Sequence, residues 1–276
     1  MYKSKSLNFI SVIFLFVLIS FYNGCTTPQE TEGNETVEFE STADENGFQK
    51  SGSKKTLPFL DFVKELEASS DSFQGDFSLK ITRYDTPEKL NVNGKIFFEK
   101  EGRKLKIQLM DPFFGMIISQ ILADPNTIRI KSSGASSIHS QEMSDLTIKD
   151  PQTQKNFRIP FPVLFQTIAL NFTEDFQKKD TLIHPEDKKV KLQKSGDEYF
   201  YTFYEGGLDS LEYISKEKSL QAKTKVSESA KKGAHPPEKL LTRVTDAQTG
   251  KDLSLVETRI KNIKKMSKIP DSTFRF

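Results

Sequence analysis

The stretch RKLKIQLMDPFFGMIISQILAD, residues 103–124, holds two apolar segments joined by a short turn sequence. In the first segment, Leu105, Ile107 and Leu109 alternate with lysine and glutamine. A period of two places such side chains on one face of a β-strand. The second segment, residues 116–123, is apolar almost throughout, which predicts a strand covered on both faces. With the DPFFG turn between them, the two segments predict an antiparallel hairpin.

The same alternation recurs on both sides of this hairpin. Upstream, it involves Phe77, Leu79, Ile81, Val92, Ile96 and Phe98. Downstream, a short strand pattern begins at residue 127, and longer ones lie at residues 190–194, 198–204, 208–216, 220–226, 240–246 and 253–263. Together these patterns predict about ten or eleven antiparallel strands.

Two segments follow the helical period instead. Residues 57–68, LPFLDFVKELEA, and residues 161–170, FPVLFQTIAL, each carry an apolar face. Pro58 and Pro162 suit the first turn of a helix, where their missing N–H costs nothing. A sheet of this many strands curls, and its apolar concave face needs a cover. We therefore predict an α+β fold, mainly antiparallel β, with two helices over the concave face of a curved sheet.

The overall composition excludes some classes of protein. The chain has 276 residues, a formal net charge of +2, 36% apolar residues and 28% charged residues. Nucleic-acid binding needs a concentrated basic face, which this near-balance of charges does not predict. The 23 phenylalanines, without a single tryptophan, point to a core or cavity lined by phenyl rings.

Catalytic patterns are missing from the sequence. His139, His184 and His235 lie far apart and share no metal-ligand spacing. We find no nucleophile elbow, phosphate-binding glycine loop or dinucleotide fingerprint, and the carboxylates are scattered. We expect neither an enzyme nor a metal site or cofactor; an exported enzyme on a β-rich scaffold is the alternative.

The N-terminal segment is typical of an export signal. Lys3 and Lys5 precede the apolar run LNFISVIFLFVLISF at residues 7–21, which is short for a membrane span. Gly24 and Cys25, the only cysteine, follow this run. The pattern resembles a type II signal peptide with a lipobox. The resemblance implies cleavage after Gly24, diacylglycerol on the Cys25 sulfur and acylation of the new amino terminus. The alternative is a signal anchor with a bystander cysteine.

The chain therefore divides into three predicted parts. Residues 1–24 are the signal peptide, 25–55 are the lipidated cysteine and a disordered polar tether, and 56–276 are the folded domain. The residue after Cys25 is Thr26, and not the aspartate that marks inner-membrane retention in some bacteria. We expect a lipid-anchored protein of the outer membrane that faces the periplasm.

Several parts of the chain together resemble the LolA/LolB-like lipoprotein-carrier superfamily, over roughly residues 57–276. They are the lipobox, the strand–turn–strand of residues 103–124, the proline-started helix in FRIPFPVLFQTIAL (157–170) and the terminal KIPDSTFRF (268–276), which resembles the closing strand of that fold. The resemblance implies a curved, incomplete β-barrel with an apolar hollow under the helices. In this superfamily the hollow holds acyl chains of lipoproteins or other lipids.

The resemblance also implies a site. The hollow would be lined by Phe77, Phe98, Leu109, Ile121, Val163 and Ile168. At the turn, Phe113 or Phe114 would protrude and insert into a membrane; alternatively, one ring packs inside and the other caps the sheet edge.

The function that follows is binding of a lipid or acylated lipoprotein and its transfer to the outer membrane. The expected partners are the membrane, through the lipid on Cys25, the acylated cargo and a soluble periplasmic carrier; we expect a monomer. An interaction module with a filled hollow and no lipid is the alternative function. The basic stretch Lys261, Lys264, Lys265 and Lys268 would meet anionic headgroups or keep a strand at a sheet edge soluble.

Overall fold

The computed structural model describes residues 47–86, 88–111, 114–149, 155–204, 206–215, 219–227 and 235–276. All of them belong to one compact unit, Ala43–Phe276. The predicted signal peptide, the predicted lipidation site Cys25 and Phe113 lie outside the described residues.

The domain is built mainly from antiparallel strands. Their bounds are β1 (Gln49–Lys50), β2 (Ser72–Arg83), β3 (Lys89–Glu99), β4 (Lys104–Met110), β5 (Ile117–Ala123), β6 (Thr127–Ser132), β7 (His139–Glu142), β8 (Leu146–Lys149), β9 (Asn156–Ile159), β10 (Leu182–His184), β11 (Lys189–Lys194), β12 (Asp197–Tyr204), β13 (Gly207–Ser215), β14 (Leu220–Ser227), β15 (Lys239–Asp246) and β16 (Asp252–Met266). Fourteen of them form one curved sheet that is not closed into a barrel, and β8 and β9 form a separate hairpin. The predicted α+β fold class is confirmed.

The domain contains more strands than the sequence predicts. The additional strands are β1 and β7 to β10, none longer than four residues. Such segments are too short to show a period of two, so only their pairing identifies them. Residues 47–55 were predicted to belong to the tether, yet Gln49 and Lys50 pair with Ile183 and Leu182. These two residues therefore belong to the sheet. Local composition does not reveal this, because their partner strand lies far along the chain.

Strand β16 joins the two halves of the sheet. The strand order runs β1-β10-β11-β12-β13-β14-β15-β16-β2-β3-β4-β5-β6-β7. Within it, Ile260 lies opposite Phe77 and Val256 opposite Ile81. Three lysines of the basic stretch, Lys261, Lys264 and Lys265, therefore lie on an interior strand, and Lys268 follows its end. Protection of a sheet edge does not explain the three lysines on the strand.

Both predicted helices are present. They are α1 (Leu57–Ser69) and α2 (Phe161–Ala169), and a short helix α3 (Thr173–Phe176) follows. Helix α1 buries one face through Phe59, Leu60 and Val63. Helix α2 differs, because all nine of its residues are buried. It is therefore a core element covered on every side, and not an amphipathic lid.

The core is continuous from the helices to the inward faces of the strands. Phenyl and phenol rings pack edge to face within it, as where the Phe172 ring lies 5.3 Å from that of Tyr201 and 5.5 Å from that of Phe203. Many of the phenylalanines in the sequence thus pack in the core. Edge-to-face pairs add roughly 0.5–1.5 kcal/mol each beyond the area that they bury.

Two local predictions are wrong. Residues 268–276 do not form a closing strand: Pro270 is followed by a 3₁₀ helix, Asp271–Phe274, and this segment packs through Phe274 on the convex face of the sheet. The strand β5 is not covered on both faces along its whole length, since Ile117 is 38% exposed. Only its last three residues, from Ile121, are all buried.

Candidate functional site

An apolar cleft lies where β4, β5 and β6 meet the β8–β9 hairpin. Its volume is about 270 Å³. It is lined by Leu109, Ile118, Ser119, Ile121, Ile130, Ser132, Leu146, Thr147, Ile148 and Lys149. Aliphatic side chains and small polar residues make up most of this lining, and Lys149 is the one charged residue among the described residues that line it.

Strand register explains why this cleft is open. Leu109 lies opposite Ser119, which in turn lies opposite Ser132, so a row across three strands carries two small residues. In the neighbouring row, Ile121 lies opposite Ile130. Two serines in place of larger residues leave space above the sheet.

The hairpin closes the other side of the cleft. Leu146 is buried and Ile148 is half-buried against the main core. An ion pair braces the hairpin, with Arg158 Nη2 2.7 Å from Asp145 Oδ2. The aliphatic side chains of β8 therefore face those of the sheet across the cleft.

The structure separates the residues predicted to line one hollow. Leu109 and Ile121 both line the cleft. Phe98, Val163 and Ile168 have no solvent exposure and pack in the main core, as does Phe77 at 3% exposure. The side chains of α2 occupy this part of the core, so the free volume lies to one side. The sequence did not single out the serines that create it, because a small polar residue in a strand carries no distinctive signal.

The turn between β4 and β5 is an exposed apolar tip, which we define as residues Phe114, Met116 and Ile117. Their exposures are 78%, 63% and 38%. The Asp111 carboxylate accepts the Phe114 N–H at 2.8 Å, and the Asp111 carbonyl accepts the Gly115 N–H at 2.9 Å. Gly115 adopts a φ of +66°, a conformation that favours glycine.

The Phe114 ring does not pack inside, and the other ring of the turn, Phe113, lies outside the described residues. Tip and cleft share strand β5. Ile117 belongs to the tip, while Ile118 and Ile121 line the cleft. At about 3.3 Å per residue, the distance from Ile117 to Ile121 is roughly 13 Å. The exposed tip and the cleft therefore lie along one strand, about that distance apart.

The histidines do not form a shared centre. His139 lies on β7 and His184 on β10. His235 is buried beside α2, where its Nε2–H donates to the Ile168 carbonyl at 2.6 Å. Burial lowers the pKa of His235 to about 4, although the bond to Ile168 acts in the opposite direction. Within the described ranges, no group of three or more His, Cys, Asp or Glu residues could hold a metal ion.

The part of the chain that the structure describes contains no helix long and apolar enough to cross a bilayer. No protein-family profile and no curated protein sequence matches the chain.

Solved structures do resemble it. A LolA superfamily protein from Nitrosomonas europaea matches with a TM-score of 0.50 and 11% identity, over 80% of this chain and 97% of that one. A putative outer membrane lipoprotein-sorting protein domain from Vibrio parahaemolyticus matches with a TM-score of 0.34 and 12% identity, over 78% of this chain and 95% of the other. The first match and the observed topology show that the domain has a LolA-like fold. The LolA/LolB-like resemblance is confirmed at the level of fold.

Proposed function

We propose that this protein is a membrane-anchored lipoprotein that binds an acyl chain of a lipid or lipoprotein in the cleft and transfers it to the outer membrane. The observation that carries the proposal is the shared strand β5, which leads from the exposed Phe114, Met116 and Ile117 to the cleft at Ile121. A LolA-like fold supports the same function.

The chemistry of the cleft suits one acyl chain. An acyl chain offers apolar surface along its length and a polar group at one end. Each methylene that leaves water contributes about 0.8 kcal/mol. At about 270 Å³, the cleft is slightly smaller than the usual range of ligand-site volumes, roughly 300–1,000 Å³. Lys149 would meet the polar end of the lipid.

The predicted anchor would keep this site near the bilayer. Cleavage before Cys25 and acylation there would tether the domain through a polar segment that starts at Thr26. Two or more acyl chains anchor a protein stably, where a single chain is marginal. A soluble periplasmic carrier would then supply the cargo to a receptor fixed at the outer membrane.

A second candidate function is an interaction module that holds no lipid. The packing of α2 favours it, because every residue of this helix is buried in the core. The central space expected to hold acyl chains is occupied by protein. An acyl chain would have to bind in the smaller lateral cleft instead.

Binding of a fluorescent long-chain fatty acid to the compact unit, residues 43–276, tests the proposal. We expect Ser119→Phe to weaken binding at least roughly tenfold, because a phenyl ring would fill the cleft. Gln120→Phe is the matched control, since Gln120 is the next residue of β5 and does not line the cleft. Equal binding by both variants would place the lipid elsewhere. No binding by the unmodified unit, verified as folded by a cooperative melt, would favour the interaction module.

A further inference from the structure

A groove of about 430 Å³ lies on the convex face of the sheet, beside the apolar tip. Its lining includes Ser78, Asn93, Lys95, Arg259, Lys261 and Gly115. We propose that this groove binds the phosphate of anionic phospholipid headgroups when the tip contacts a bilayer. The inference rests on the proposed membrane contact of the tip, and it names the lipid class that the contact would favour.

Pairing of β16 with β2, and of β2 with β3, brings these polar side chains together. Arg259 lies opposite Ser78, which lies opposite Asn93. In the next row on the same face, Lys261 and Lys95 lie on either side of Asp76. The groove thus draws its cations from segments of the chain that are more than 160 residues apart in sequence, as are Lys95 and Arg259.

The carboxylates that border the groove are already engaged. Asp76 forms an ion pair with Lys95 and accepts a hydrogen bond from Asn262 Nδ2 at 2.5 Å. These bonds to Lys95 and Asn262 lower the pKa of Asp76. Asp111 accepts the Phe114 N–H of the turn. Asp76 is therefore paired with a cation of the groove, whereas Asp111, which lies at the turn, is held by an uncharged N–H and keeps its charge.

Lys261 and Arg259 are the cations that would meet a ligand. Lys261 is exposed and forms no ion pair with any residue that the structure describes. Arg259 forms an ion pair with Glu257, to which its Nε–H donates at 2.7 Å, and its side chain lines the groove. A guanidinium fork, an ammonium group, the Ser78 hydroxyl and the Asn93 amide are donors suited to phosphate oxygens.

The position of the groove matches the arrangement of a bilayer surface. Met110, Asp111 and Gly115 line it, and they belong to the strand end and turn that carry Phe114. Apolar side chains that enter a bilayer lie below the headgroups, while cations next to them lie at the level of the phosphates. Insertion of Phe114 would bring headgroup phosphates to the groove.

Vesicle co-sedimentation of the unit 43–276 tests this inference. Vesicles of phosphatidylcholine alone are compared with vesicles that also contain phosphatidylglycerol. We expect the anionic vesicles to bind more tightly, and Lys261→Gln and Arg259→Gln each to reduce that binding about fivefold. Lys179→Gln is the matched control, because Lys179 is exposed and lies outside the groove. Unchanged binding of anionic vesicles by both groove variants, or an equal loss on neutral vesicles, would overturn the inference.

Fatty-acid binding, measured on the same preparations, separates the two proposals. Groove variants that keep fatty-acid binding but lose the preference for anionic vesicles support the headgroup site. If the unmodified unit binds fatty acid without preferring anionic vesicles, the proposed headgroup site is rejected and the proposed acyl-chain site is retained. If it prefers anionic vesicles through Lys261 and Arg259 but binds no fatty acid, the groove stands and the acyl cleft fails.

Discussion

The ammonium group of Lys106 lies 2.8 Å from the backbone oxygen of Thr273 and 2.5 Å from that of Arg275. The lysine is on the convex face of β4 and is only 5% exposed. Burial lowers its pKa. Nearby, Phe274 packs against Leu122 in a small apolar cluster. The C-terminal residues are thus held on the outside of the sheet by a buried cation and an apolar contact.

Removing that cation will loosen the C-terminal segment. Hydrogen bonds to a charged group contribute about 1.5–3 kcal/mol, partly offset here by the cost of burying the charge. We expect Lys106→Ala to lower the free energy of unfolding by about 2–3 kcal/mol, measured by urea denaturation. Lys104→Ala is the control on the same strand, because its side chain is 44% exposed and its ion pair with Asp271 is 3.6 Å long. A loss for Lys104→Ala as large as that for Lys106→Ala would contradict this account.

His235 should make the stability depend on pH. Its pKa is about 4 in the folded protein and 6.5 ordinarily, mainly because burial disfavours the charged ring. As the pH falls below 6.5, the unfolded chain takes up the proton first, so its stability relative to the folded state rises. We expect the free energy of unfolding to drop by about 3 kcal/mol between pH 6.5 and pH 4 from this group.

Urea denaturation at several pH values measures the effect. The His235→Leu variant should lose this part of the pH dependence. His139→Gln removes an exposed imidazole on β7 and is the control. An unchanged slope in His235→Leu would show that other groups cause the pH dependence.

The exposed tip should matter for vesicle binding and not for folding. Phe114 is 78% exposed, so Phe114→Glu removes an apolar contact with lipid and leaves the core intact. We expect roughly a tenfold or greater loss of binding to neutral vesicles, with an unchanged melting temperature. Phe113→Glu is a companion variant at the same turn. Leu57→Glu is the control, because it replaces a leucine that is also exposed, at 49%, but lies at the start of α1 and not in the tip. If both turn variants bind vesicles and transfer lipid as well as the unmodified protein does, the tip has no membrane role.

Gly94 is required by the close approach of β3 to β4. A Cβ at this position would lie 1.9 Å from the Gln108 backbone oxygen. We expect Gly94→Ala to destabilise the fold by about 2–3 kcal/mol, because the backbone must move. A Cβ at Gly102 would lie 3.0 Å from Cε of the flexible Lys104 side chain, which can move away. We therefore expect Gly102→Ala to destabilise the fold much less. Thermal melts of both variants measure the difference.

Local sequence patterns predicted most of the regular elements. The alternation at Leu105, Ile107 and Leu109 identified β4, and the helical period identified α1 and α2 within about one residue of their observed ends. These signals are local, because each strand or helix shows its buried face within a few residues. Short elements such as β1 and β10 lack enough residues to show a period.

The sequence by itself determined an antiparallel sheet with two helices and an apolar turn, since periodicity and turn chemistry are encoded by neighbouring residues. The tertiary structure alone decided that α2 fills the core, that Ser119 and Ser132 leave a cleft to one side, and that Arg259 meets Ser78 across β16 and β2. These relationships join residues far apart in the chain. Their physical basis is packing and backbone pairing between distant segments, which no local pattern records.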